Sequence, residues 1–210
     1  MKSTWQQYTH QPDGTITLEG HPDVTLDVIQ DQGHATARAI EQELGLPRYY
    51  EEWEALATPQ GLSSRMVRFV LLDESETRLQ GNPRLQPRSI TLPPTATCLF
   101  EFGHRGFAVG AVSAFFLGFK ENVEDLRRMQ IDIPAWVEGE CIIAQAQLFA
   151  SPLADKAWEA LRLGIFTHVC PLVFRKIDEP AGAGQLVEVS LVDGGYPGCQ
   201  HARVLKVWEA

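Results

Sequence analysis

Short apolar runs recur from about residue 65 to the end of the chain, and they limit the folds that this sequence can adopt. Each run is rich in β-branched or aromatic residues and is bounded by glycine, proline or charged residues, which is the pattern of β-strands. The predicted strands are residues 66–72, 97–102, 106–116, 136–149, 167–176, 185–192 and 203–208. We expect the glycine-containing loop after residue 176 to join two of them as a hairpin.

One strong helix interrupts this series of strands at residues 151–163. Ser151 is a typical N-cap residue, Pro152 occupies the first helical position, and Gly164 follows the last turn. The apolar stripe of this helix consists of Leu153, Ala157, Trp158 and Leu161. A charged segment at residues 120–128 predicts one or two further helical turns. The sequence therefore predicts an α+β fold, rich in antiparallel pairing, built as a small barrel or curled sheet with flanking helices.

The first 64 residues have a different pattern. Short strands are predicted at residues 15–18 and 24–29, and helices at residues 35–44 and 48–57. The helical pattern ends at Thr58-Pro59-Gln60-Gly61. We therefore divide the chain into an N-terminal α+β extension of unknown role, residues 1–64, and a main domain, residues 65–210.

Charge and hydropathy exclude several classes of protein. The net charge of −9, without any basic block, argues against a nucleic-acid partner. The most apolar stretch, residues 108–119, is shorter than the roughly 20 residues that cross a bilayer, and the N-terminus has no signal-peptide pattern. The four cysteines are scattered without a CxxC pair, as in a reducing compartment. We expect a cytoplasmic protein whose partners are proteins or small molecules, without nucleic acid or membrane.

Three residues stand out as candidates for chemistry. In the run 99–104, alternation puts His104 on the face of Phe100 and Phe102, where it is either a general base or a structural histidine. Cys170 follows His168 in a predicted strand, next to the strand-restricting Pro171, and is either a nucleophile or an inert core thiol.

Glu188 is the third candidate, because it is a single charge in an apolar strand. Alternation puts it on one side with Ser190, as either a residue that orients an imidazole or part of a solvent-facing sheet surface. If the hairpin turns near Gly182, Glu188 lies nearly opposite Phe174 and several residues from Cys170.

Metal and nucleotide sites are not indicated. The pairs His168-x-Cys170 and Cys199-x-His201 could offer four ligands, but their spacing differs from that of zinc knuckles. No P-loop, GxGxxG, HExxH or GxSxG motif is present. The sequence predicts neither a metal nor a cofactor.

Five segments together resemble the prohead, or capsid maturation, proteases of tailed phages. The polar loop 76–87 resembles the family's opening loop, and residues 99–104 and 108–112 resemble its histidine-bearing strand and the strand that follows. Residues 151–174 resemble its helix, glycine and nucleophile strand, and residues 186–192 resemble its EVSLV-like ending. Order and spacing agree across residues 65–210.

The resemblance implies a fold similar to herpesvirus assemblin and an endopeptidase that cuts scaffold and capsid precursors inside the procapsid in the host cytoplasm. It places Cys170 at the nucleophile, His104 at the general base and Glu188 near the third catalytic position. The family nucleophile is a serine with glycine two residues later, whereas this chain has Cys170 and Leu172. A thiol can perform the same acyl transfer. The alternative is a non-catalytic relative that binds scaffold or capsid proteins; either could form a homo-oligomer.

Overall fold

A computed structural model describes residues 8–10, 16–18, 21–26, 45, 55–75, 85–95, 98–102, 107–176, 180, 182–192 and 200–210. Within these residues the dominant element is one large sheet. Its strands are β1 (Tyr8–His10), β2 (Ile16–Leu18), β3 (His21–Leu26), β4 (Leu62–Asp73), β5 (Ile90–Thr91), β6 (Leu99–Phe102), β7 (Ala108–Gly118), β8 (Cys141–Phe149), β9 (His168–Lys176), β10 (Gly184–Val192) and β11 (Val204–Glu209).

The strands lie in the order β1-β2-β3-β9-β10-β6-β7-β8-β4-β11, and β5 pairs with β10. All pairs are antiparallel except those of β10 with β5 and β6, which are parallel. The sheet curls until the start of β11 meets the start of β9, where His168 and Arg203 form an isolated antiparallel bridge. This contact does not extend into a strand pair, so the curled sheet is not a closed barrel. The α+β prediction is confirmed.

Among the described residues, two complete α-helices flank the sheet: α1 (Val123–Arg128) and α2 (Pro152–Arg162). Single 3-10 turns occur at Pro87–Ser89 and Lys120–Asn122. The Ala154 amide donates to Ser151 Oγ at 3.2 Å, which confirms the predicted N-cap. The predicted stripe is buried against the sheet. No helix in the described ranges is long and apolar enough to span a membrane.

The main core is built from buried residues of the sheet strands and of α2. Phe69 and Phe100 stack with ring centroids 5.4 Å apart, and Phe102 meets Phe166 edge to face at 5.0 Å. A smaller apolar cluster lies outside this core, where α1 and the loop after it pack on β4 and β8; its buried members are Val70, Leu126, Ile131, Cys141 and Ile143.

The predicted elements of residues 65–210 are present, with one large error. The run 136–149 becomes a strand only from Cys141, because residues 131–140 form an irregular segment that covers the smaller cluster. The predicted helix 35–44 lies outside the described residues, and of the helix 48–57 only residues 55–57 are described, as helical. The predicted boundary at residue 64 falls within β4, and β3 pairs with β9.

Candidate functional site

Three chemically active residues occupy one row across three neighbouring strands. In β9 and β10, Cys170 pairs with Ser190, and in β10 and β6, Ser190 pairs with Glu101. Paired residues of a sheet project to the same face, with Cα atoms about 4.5–5.5 Å apart in an antiparallel pair. The thiol, the hydroxyl and the carboxylate therefore share one face of the sheet.

Glu188 lies on the same face of the sheet, two residues before Ser190 on β10. It pairs with Leu172 of β9 and with Leu99 of β6, so it is not opposite Phe174 as predicted. Phe174 pairs with Gln185 instead, which centres the hairpin near Pro180 rather than near Gly182.

A β-bulge between Leu186 and Glu188 decides which way Glu188 points. Before the bulge, Leu186 pairs with Val173, so an uninterrupted ladder would pair Glu188 with Pro171. It would then face away from Cys170, because side chains alternate with a period of two. The extra residue of the bulge moves Glu188 to the face of Cys170 and Ser190.

The shared face is buried. Glu101 is 1% exposed, Glu188 5%, Ser190 0% and Cys170 3%. The alternative interpretation of this side of β10 as a solvent-facing sheet surface is therefore wrong. Buried carboxylates and hydroxyls are uncommon unless their polar atoms are satisfied or functional. We define these four residues as the polar row.

The pKa of Cys98 responds to the negative charges of the polar row. Burial and, to a smaller extent, the negative charges of Glu188 and Glu101 together raise the pKa of the Cys98 thiol to about 12. Both carboxylates are thus close enough to act on a thiol at the start of β6. The same charges would oppose a thiolate anywhere on this face, so a nucleophilic Cys170 needs a cation beside it.

The histidine predicted as the base, His104, lies outside the described residues, as does Cys199. His168 is described: it lies two residues before Cys170 on β9, and its Nδ1 is 2.8 Å from the Thr167 hydroxyl. The structure therefore brings Glu188 and Cys170 to one face and leaves the position of His104 as a prediction.

A second imidazole is held by a buried carboxylate at the start of β11. His201 Nδ1 lies 2.8 Å from Oδ2 of Asp73, whose side chain is fully buried. The Asp73 carboxylate also accepts hydrogen bonds from the amide and the hydroxyl of Ser75 at 2.9 and 2.8 Å. The His201 ring meets the Trp136 ring edge to face at 5.7 Å.

Sequence reasoning missed Glu101 and also Asp73, the carboxylate partner of His201. Glu101 is a single charge in a buried strand, the same signal that identified Glu188, and that signal could have found it. Asp73 ends a strand that also carries Arg65 and Arg68, so it gives no such signal. Their partners could not be found from local patterns, because β10 lies between β9 and β6, and β4 lies next to β11.

No match was found in comparisons with protein-family models, curated proteins or solved structures. Within the described residues, no group of three or more His, Cys, Asp or Glu side chains is arranged to hold a metal ion. The polar row and the Asp73–His201 pair are therefore the structural basis for a functional proposal.

Proposed function

We propose that this chain is an endopeptidase of the prohead-protease type that uses Cys170 as its nucleophile and cuts scaffold and capsid precursor proteins. The proposal depends on the resemblance of residues 65–210 to that family. The observation that carries it is the placement of Cys170, Ser190 and Glu188 on one buried face, because this face assembles residues from two of the resembling segments.

In this mechanism the Cys170 thiolate attacks the peptide carbonyl and forms an acyl-enzyme, which water then hydrolyses. His104 is the general base that the resemblance implies, and Glu188 orients an imidazole and stabilises its charged form. Ser190 faces Cys170 directly, and its hydroxyl can donate a hydrogen bond to the thiolate or to the oxyanion. The carboxylates raise the cost of a lone thiolate, so the reactive form is a thiolate–imidazolium pair.

Coexpression with candidate scaffold and capsid precursors tests the proposal. The wild-type chain should shorten one or both precursors, as seen by mass spectrometry of intact proteins, and Cys170→Ala should abolish the cleavage. Cys98→Ser is the matched control, since it alters a buried thiol of the same sheet and should leave cleavage intact. Undiminished cleavage by Cys170→Ala would remove Cys170 from the mechanism.

One observation favours the non-catalytic alternative. Cys170 is only 3% exposed, and a peptide carbonyl must reach its Sγ for catalysis. If the chain binds the capsid precursor but neither it nor Cys170→Ala cleaves anything, the fold serves as a scaffold- or capsid-binding module.

A further inference from the structure

The Asp73–His201 pair has the geometry of the orienting half of a catalytic triad. A carboxylate can only accept, so Nδ1 of His201 carries the proton of the 2.8 Å contact with Oδ2 of Asp73. Ser75 fixes the carboxylate from the other side through its amide and hydroxyl. Because Nδ1 donates its hydrogen bond to Asp73, this imidazole exchanges protons at Nε2. His201 is 32% exposed, so a proton can leave or enter there.

The backbone brings His201 next to Cys170. The Val169 amide donates to the Ala202 carbonyl at 2.7 Å, and His168 bridges Arg203 in antiparallel register. The Val169–Ala202 hydrogen bond therefore brings position 201, the residue before Ala202, close to position 170, the residue after Val169. The Arg203 amide also donates to the His201 carbonyl at 2.9 Å, which holds the segment in a tight turn at this place.

The two side chains belong to the same face. The Phe69–Phe100 stack lies in the main core, and Val189 pairs with both Phe100 and Pro171, so Cys170 lies on the face of the sheet opposite to that stack, although it also borders this core. The ring of His201 meets Trp136, which packs on the smaller cluster outside that core. Asp73 pairs with Cys141 of the smaller cluster, so the Asp73–His201 pair and Cys170 both lie on the side of the sheet away from the Phe69–Phe100 stack.

We propose that Asp73 and His201, in place of the His104 that the resemblance implies, are the proton-transfer pair of Cys170, an inference that rests on the proposed peptidase function. The Cys170 Sγ–H bond breaks and its proton passes to Nε2 of His201, while the thiolate forms a bond to the peptide carbonyl carbon. The carbon–nitrogen bond then breaks, and the departing amine takes the proton from Nε2. Water gives a proton to Nε2 as its oxygen attacks the acyl group, and thiolate is released. Asp73 positions the ring throughout.

His168 is the competing imidazole in the described structure, and its placement is less favourable. Residues two apart on one strand are about 6.6 Å apart, whereas neighbours across adjacent strands are about 4.5–5.5 Å apart. His168 is bonded through Nδ1 to the hydroxyl of Thr167, which cannot stabilise an imidazolium as a carboxylate can.

The other groups around His201 support this role. The guanidinium of Arg203 lies 5.5 Å from the Trp136 ring centroid and bonds the Gln200 carbonyl at 2.8 Å. On β8, Cys141 pairs with Asp73; burial, together with the charge of Asp73, raises the pKa of the Cys141 thiol to about 12. Cys141 therefore stays neutral and does not compete for the proton.

The test measures the alkylation rate of Cys170 by iodoacetamide between pH 5 and pH 9, with the label located by peptide mass spectrometry on the full-length protein. This readout follows the thiolate and needs no substrate. His201→Asn keeps an N–H donor near Asp73 but removes Nε2. We expect the alkylation rate of Cys170 at pH 7 to fall at least about tenfold, which corresponds to a rise of one unit in the pKa of its thiol. The midpoint of the pH–rate profile should rise accordingly. Asp73→Asn should move the midpoint in the same direction.

His168→Asn is the matched control and should keep the wild-type profile. Melting temperatures of all variants establish that each is folded. Asp73→Glu keeps a carboxylate, so its pH midpoint should lie closer to that of the wild type than the midpoint of Asp73→Asn does. A wild-type profile in His201→Asn, or a Cys170 that is unreactive at every pH, overturns the inference. A shift in His104→Asn without one in His201→Asn overturns it as well. If precursor cleavage still requires Cys170 in that case, the proposed function stands while the assignment of His201 fails.

Discussion

Substitution of Gly110 by alanine tests the strand register of the sheet that carries the polar row. It pairs with Phe100 of β6 on one side and with Leu148 of β8 on the other. A Cβ at this position would lie 2.4 Å from the carbonyl oxygen of Gln147 and 3.1 Å from the Cα of Leu148. Close carbon–oxygen contacts between strands are about 3.3 Å, so Gly110→Ala must push β7 and β8 apart by nearly 1 Å.

The expected cost follows from what this movement breaks. Weakening the two hydrogen bonds nearest the substitution costs about 1 kcal/mol each, and overpacking of a rigid site costs about 1–3 kcal/mol. The lower entropy of the unfolded alanine chain offsets about 0.4–1 kcal/mol. We expect Gly110→Ala to lower the free energy of unfolding by about 3 kcal/mol, equivalent to a melting temperature lower by about 6–12 °C for a chain of this size.

Thermal unfolding followed by circular dichroism measures the effect. Gly139→Ala is the matched control, because the nearest atom to its Cβ is Oε2 of the Glu74 side chain at 3.0 Å, which can move. Its melting temperature should stay within about 3 °C of wild type. Equal melting temperatures for Gly110→Ala and Gly139→Ala would show that β7 and β8 are not paired in this register, and the placement of Phe100 opposite Gly110 would fail with it.

Two smaller predictions concern thiols and helix capping. At a pKa of about 12, only about 10⁻⁵ of a thiol is ionised at pH 7. Cys98 and Cys141 should therefore stay unlabelled in native protein under iodoacetamide conditions that modify Cys170. Labelling of either thiol at a rate similar to that of Cys170 would contradict their burial. Ser151→Ala removes the acceptor of the Ala154 amide and should lower the free energy of unfolding by about 1 kcal/mol in urea denaturation, whereas Ser151→Asp should retain most of it. An unchanged midpoint for Ser151→Ala would rule out this cap.

The proposed site explains why a chain of this class would bury charge in the middle of a sheet. Glu101 and Glu188 lie within the electrostatic reach of Cys98, and both share a face with Cys170. Two carboxylates of like charge in a buried space destabilise a fold unless a cation or a shared proton accompanies them. The imidazolium that the proposal puts beside Cys170 would supply such a cation, and this requirement links the polar row to the Asp73–His201 pair.

The errors of the sequence-based predictions share one physical origin. A hairpin turn near Gly182 predicts Glu188 nearly opposite Phe174, but tertiary pairing centres the β9–β10 hairpin near Pro180. The strand predicted from residue 136 begins at Cys141, because the apolar residues before it pack from outside on the smaller cluster. In both places, packing between distant segments outweighs the local pattern.

The sequence by itself determined the α+β class, the strand order along the chain, the capped helix after Ser151 and the choice of Cys170 and Glu188 as unusual residues. These follow from side-chain periodicity and capping, which act over a few neighbouring residues. The tertiary structure alone decided that Glu188 points to the face of Cys170, that Ser190 and Glu101 complete the row, and that Asp73 holds His201. A single-residue bulge and the order of non-consecutive strands set these contacts, and both depend on pairing between segments far apart in the chain.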